Sequence, residues 1–152
     1  KYSKPAPHRA GFLIIDCYYL HYLCIMRYTL GKDKKLKSQK AITELFQNGS
    51  SIRKGAMLLK YQVKSKAGLH KSGFSVPKRF FKHAVDRNRV KRLLREAYRL
   101  QQNDLPQLEN QHFHFMWIYQ SHKLPDQDHV KHLLEGIIKQ LNKLQNNSTT
   151  ES

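Results

Sequence analysis

Between residues 78 and 99 stand nine Lys or Arg: Lys78, Arg79, Lys82, Arg87, Arg89, Lys91, Arg92, Arg95 and Arg99. Two acids, Asp86 and Glu96, share the stretch. On a helix drawn at ~100° per residue, Val90, Leu93, Leu94, Ala97 and Leu100 fall on one side. Arg87, Asn88, Lys91, Arg92, Arg95 and Arg99 cover the opposite arc. Such a helix buries one face and offers cations and an amide to a polyanion. Solvated helix faces usually set Glu against Lys at i,i+4, because like charges repel. Here Arg87, Lys91, Arg95 and Arg99 form an i,i+4 ladder of one sign, whose repulsion a phosphate backbone offsets. The planar guanidinium also suits paired bonds to phosphates and base edges. The chemistry on offer is binding of RNA or DNA.

Catalytic groups are harder to assemble. A metal-dependent nuclease needs several carboxylates converging on one point. Asp33, Glu44, Asp86, Glu96, Asp104, Glu109, Asp126, Asp128 and Glu135 are scattered along the chain. Asp86 and Glu96 lie among cations and are expected to pair with neighbouring Arg. His112 and His114 share one face of a strand, and two histidines can serve a phosphodiester as acid and base. Two residues apart, they reach only one side of it, so the plainer expectation is strand-face residues half in solvent. There is no Gly-rich phosphate loop and no nucleophile elbow. The residues read as a binding protein with no catalytic or metal-ligating side chains. A binder of ribosomal or other structured RNA, and a protein-only nuclease, are the alternatives.

The elements that position these residues follow from periodicity. Over residues 32–49 the pattern is helical, with Ser38 as N-cap, Ala41, Ile42, Leu45 and Phe46 as the apolar stripe, and Gly49 at the C′ position. Residues 50–53 and 56–64 read as strands, the second alternating Met57, Leu59, Tyr61 and Val63 with Leu58, Lys60 and Gln62. A turn at residues 65–68 leads to a return strand at 71–76. The basic helix follows and stops at the Asn103, Asp104, Leu105, Pro106 run. His112–Tyr119 is a strongly apolar strand. Asp126 caps a last helix carrying Val130, Leu133, Leu134, Ile137, Ile138, Leu141 and Leu144. The order α-β-β-β-α-β-α predicts one mixed sheet with helices packed on it.

Residues 84–96, AVDRNRVKRLLRE, resemble the signature of the bacterial ribonuclease P protein component, with Arg87, Asn88 and Arg89 as its RNR core. The resemblance runs from about Met26 to Leu144, and departs before the helix, where Lys82 and His83 replace the Gly-Asn of many members. It implies a single-domain α+β sandwich of the ribosomal-protein type, with a left-handed βαβ crossover where general principle favours the right hand. It also implies that Lys78, Arg79, Arg87, Asn88, Arg89, Lys91, Arg92, Arg95 and Arg99 bind the catalytic RNA of ribonuclease P. A cleft between the first helix and the sheet, at Ile42, Phe46, Leu58 and Lys60, would hold the single-stranded 5′ leader of precursor tRNA. An aromatic often stands at the position of Ile42, so base stacking falls to Phe46, with Tyr61 as a further candidate. Catalysis would belong to the RNA subunit and its Mg²⁺, the protein alone binding no metal, and the work would be cytoplasmic tRNA processing.

Composition agrees with such a partner. The chain has 152 residues, enough for one domain, and a formal net charge of +17 from 28 Lys+Arg against 11 Asp+Glu. Its apolar faces are needed for a core, which argues against a membrane-surface role. Cys17 and Cys24 suit a reducing compartment better than a disulfide or a metal site. The apolar run at 11–26 is interrupted by Asp16 and His21, too short and too polar for a membrane span. Residues 1–25 are expected to be an upstream extension outside the fold, residues 26–145 the ribonuclease P protein domain, and 146–152 a disordered tail.

Overall fold

The computed structural model of the chain describes residues 30–107 and 110–149. The expected upstream extension, Cys17 and Cys24 lie outside the described residues. The elements are α1 (Gln39–Asn48), β1 (Ser50–Lys54), β2 (Met57–Lys64), β3 (Lys71–Ser75), α2 (Ala84–Gln101), a short 3₁₀ turn (Gln102–Asp104), β4 (His112–Tyr119) and α3 (Gln127–Thr149). Their order is the one the periodicity predicts.

The strands form one mixed sheet in the order β1-β2-β4-β3. β1 and β2 are an antiparallel hairpin, β2 and β4 are antiparallel, and β3 runs parallel to β4. The return strand expected after β2 is therefore corrected. β3 does not pair with β2; β4 inserts between them, and α2 is the crossover joining the parallel pair. β4 can take the central place because its sequence is apolar on both faces, seven of its eight residues being buried. Such a strand needs cover on both sides.

On one face Met57 and Leu59 of β2 and Phe113, Phe115, Trp117 and Tyr119 of β4 meet Val90, Leu94, Ala97 and Tyr98 of α2 and the apolar stripe of α3. On the other, Met116 and Ile118 meet Leu36 and Leu45, with Ala41, Ile42 and Leu58 around them. The sheet is thus fully covered on the α2–α3 side and partly covered by α1.

The helix ends show local causes. The Ser38 hydroxyl accepts from the Ala41 N–H at 3.5 Å, and the Asp126 carboxylate accepts from the His129 N–H at 2.8 Å. Gly49 does end α1, yet its φ is −83°, not the left-handed value its position suggested. Glycine is required for space instead: a Cβ there would lie 2.3 Å from the Leu45 carbonyl oxygen. At the far end α3 continues through Thr149, into the stretch expected to be a tail. A helix already packed along its body propagates at little cost.

Candidate nucleic-acid interface

α2 starts without the usual help, because its N-cap, His83, makes no side-chain capping bond. Arg87 supplies the missing order. Its Nη1 donates to the carbonyls of Phe81, at 2.9 Å, and Lys82, at 2.7 Å, tying the preceding loop to the first turn. Asp86 stands in that same turn, where a carboxylate suits the positive end of the helix dipole. Farther along, Tyr98 anchors the buried face between Phe74 and Trp117, with ring centroids 5.6 and 5.9 Å away. The Gln101 amide donates to the Lys131 carbonyl on α3 at 3.1 Å.

These anchors set the rotation of the helix. Val90, Leu94 and Ala97 are buried and Leu93 packs on the core. Leu100, expected on the buried side, is exposed, and Tyr98 and Gln101 are buried in its stead. The wheel missed the shift because α2 packs against both β3 and α3, and because a tyrosine and a glutamine carry no apolar signal of comparable strength.

The opposite arc is open. Asn88, Arg89, Arg92 and Arg95 are exposed on it, Lys91 half-buried, and Lys78 and Arg79 extend it into the preceding loop, both exposed. The Arg79 guanidinium lies over the Phe80 ring, 4.7 Å from its centroid. Arg99 differs from the rest. It bonds Glu96 through Nε at 2.9 Å and Nη2 at 2.6 Å, which holds the Glu96 carboxyl below its ordinary pKa. The expected pairing with an arginine is therefore real for Glu96 but not for Asp86, and neither Asp86 nor Arg89, Arg92 and Arg95 forms an ion pair among the described residues. Of the ladder, Lys91 and Arg95 are left to face a partner with their full charge.

The second surface lies on the other side of the sheet. Ile42 and Leu58 pack against the cluster of Leu36, Leu45, Met116 and Ile118, making an apolar floor beside α1. Phe46 rises from that floor 43% exposed, with the Lys60 ammonium 5.8 Å from its ring centroid. The four expected cleft residues are thus brought together. Tyr61 is not among them. It stands opposite Phe115 of β4 and its ring meets the edge of Phe113 with centroids 6.3 Å apart, so the expectation for Tyr61 is corrected to half-buried packing against the α2–α3 core. Arg53, which sequence reasoning passed over, sits directly across from Leu58 and so on the cleft face. Its signal was the alternation of Ser51 and Arg53 about buried Ile52.

At the end of this face the His112 and His114 rings lie with centroids 5.1 Å apart, tilted at 58° to one another. His112 Nδ1 bonds the Lys66 carbonyl at 2.7 Å. His114 is buried, correcting the expectation that both rings are half in solvent. Burial first, then the charges of His112, Lys64 and Lys71, push His114 down to about 4, against a weaker opposing pull from Glu44. It is neutral at pH 7, which disqualifies it as a general acid there. Glu44 pairs with Lys64 and accepts from the Gln62 amide at 3.4 Å. Among the described residues no three of His, Cys, Asp and Glu come together in a way that could hold a metal ion.

Residues 30–142 match the Ribonuclease P family model. The ribonuclease P protein component of Chlorobium phaeobacteroides is 39% identical over 82 residues, 51% of this chain and 56% of that protein. That of Saccharophagus degradans is 32% identical over 82 residues, 54% of this chain and 61% of that protein. The chain thus spans between about half and three fifths of these relatives. Among solved structures, the Staphylococcus aureus RNase P protein superposes with a TM-score of 0.61 at 19% identity, over 71% of this chain and 94% of that one. The Thermotoga maritima RNase P protein gives 0.59 at 21% identity, over 70% and 96%. At these identities the structural likeness is one of fold.

Proposed function

Because the chain belongs to the ribonuclease P protein family, we propose that it is the protein subunit of a ribonucleoprotein that removes the 5′ leader of precursor tRNA. In this reading the open arc of α2 docks on the catalytic RNA and the cleft beside α1 holds the leader. The observation that carries it is the row Asn88, Arg89, Arg92 and Arg95, exposed on one face of a helix whose other face is core.

The mechanism is electrostatic and positional. The catalytic RNA and the precursor are both polyanions, and a surface of uncompensated Lys and Arg lowers the cost of bringing them together. Phe46 and Lys60 offer a base a ring to stack on and a phosphate a cation, so a leader-bearing substrate gains contacts that the mature product lacks. In this reading the Mg²⁺ of the reaction is held by the RNA, and Glu44 and Glu96 serve the protein as partners of Lys64 and Arg99. Such a subunit works in the cytoplasm, beside tRNA transcripts.

Reconstitution tests the reading. The chain is mixed with its own catalytic RNA and precursor tRNA at a Mg²⁺ concentration too low for the RNA alone. Cleavage at the mature 5′ end is expected, and none when the chain is incubated with precursor without the RNA. Cleavage by the chain alone, or no stimulation of the RNA, overturns the proposal.

A further inference from the structure

Residues 30–37 form a strap along the outer edge of the sheet. Ser72 of β3 holds it from both sides: the Leu36 N–H donates to the Ser72 carbonyl at 3.0 Å and the Ser72 N–H to the Lys34 carbonyl at 2.9 Å. The Lys34 ammonium donates to Gln102 Oε1 at 3.1 Å, tying the strap to the end of α2. Leu36 is buried in the cluster beneath α1. The strap is therefore fixed in place before any partner arrives.

Between strap, β3 and α2 lies a small open groove of about 170 Å³, walled by Leu30, Leu36 and Phe74 and lined by Lys35, Lys37 and Arg95. Lys35, Lys37 and Arg95 are exposed, and no carboxylate pairs with any of them among the described residues. The strap's own acid, Asp33, makes no ion pair there either. Three cations facing one hollow repel one another unless an anion sits among them. The space equals that of five or six waters at ~30 Å³ each, which suits a phosphodiester group and excludes a folded element. Arg95 also belongs to the open arc of α2, whereas none of Ile42, Phe46, Leu58 and Lys60 lines the groove.

We propose that this groove holds one backbone phosphate of the RNA strand that lies along α2, so that the interface with the catalytic RNA leaves the helix at Arg95 and continues onto Lys35 and Lys37. The proposal rests on the function given above and adds a contact to it. The strap acts as a rail between the two surfaces of the protein. It fixes the path of the RNA past the sheet edge, and Leu36 links that path mechanically to the cleft on the far side.

The test is binding of the full chain to its catalytic RNA, without any tRNA, as a function of salt. Lys35→Ala/Lys37→Ala is compared with Lys123→Ala/Lys131→Ala, which removes the same charge at a distance, and thermal melts confirm that both fold. The strap variant is expected to bind on the order of tenfold more weakly. Its log–log salt slope is expected to become shallower by about 1, the share of one phosphate. The distant pair should leave the slope unchanged. Equal effects from both pairs, or no effect from the strap pair while the unaltered chain binds, overturn this contact and leave the wider function standing. In a second titration, with leader-bearing precursor added, a defect of the strap pair that appears only there assigns the groove to the leader and overturns the contact too. Failure of the unaltered chain to bind the RNA removes both.

Discussion

In the proposed function, leader recognition turns on Phe46. Its ring is not core: it is nearly half exposed and stands beside the Lys60 ammonium. A base stacked on it contributes about 1–3 kcal/mol, so Phe46→Ala should weaken precursor tRNA binding by that amount and leave mature tRNA unchanged in parallel titrations. Equal loss for both contradicts a leader role. His114 makes a different prediction, about stability. Its folded pKa of about 4 lies below the ordinary 6.5, so the unfolded chain binds more protons between those values. Stability contributed by the neutral ring is complete above pH 6.5 and is lost as pH falls toward 4, by an amount on the order of 2 kcal/mol. His70, also lowered by burial, acts in the same direction. Denaturant midpoints of His114→Gln should fall less steeply across that window than those of the unaltered chain; identical curves refute the burial argument. The burial of His114 was not legible in the sequence, whereas the alternation of β2 already set Tyr61 with Met57 and Leu59, opposite Leu58 and Lys60. His114 depends on what covers its face of the sheet, and alternation along a strand reports that there are two faces without saying what lies over each.

At the scale of elements, α2 was the most legible part of the chain and also the part where local reading needed correction. Its C-terminal stop, its cationic arc and most of its buried stripe follow from spacing alone, whereas its start at Ala84 does not. What spacing does not show is that two rungs of the ladder are occupied. Arg87 holds the loop ahead of the helix and Arg99 holds Glu96. Arg87→Ala is accordingly expected to lower the melting temperature as well as RNA affinity, because residues 81 and 82 lose their tether where His83 provides no cap. Arg99→Ala is expected to change the salt dependence of binding least among the arc's arginines. A melting temperature unchanged by Arg87→Ala contradicts the first expectation, and an Arg99→Ala slope change matching that of Arg92→Ala contradicts the second. The end of α1 gives a purely structural test. A side chain at Gly49 meets a backbone carbonyl, which cannot swing aside as a flexible side chain can. Gly49→Ala should cost on the order of 1–3 kcal/mol in a denaturant titration, whereas a neutral result means that the helix end relaxes.

For the molecule as a whole, the element order could be read from the sequence, but the sheet order could not. Residues 65–68 look like a hairpin turn, and only the two-sided apolar pattern of β4 hinted that it would insert between β2 and β3. That insertion has a functional consequence. With β3 and β4 parallel and α2 crossing between them on one face while α1 covers the other, the cationic arc and the proposed leader cleft are separate surfaces joined by the sheet. One claim underlies the rest: the open arc of α2 is where this protein meets RNA. The salt dependence of binding to the catalytic RNA tests it most directly, comparing the unaltered chain with Arg89→Ala/Arg92→Ala/Arg95→Ala. With each phosphate contact contributing about 0.9 to the log–log slope, the triple variant should be shallower by roughly 2 to 3 while melting like the parent. An unchanged slope in a folded variant contradicts the account.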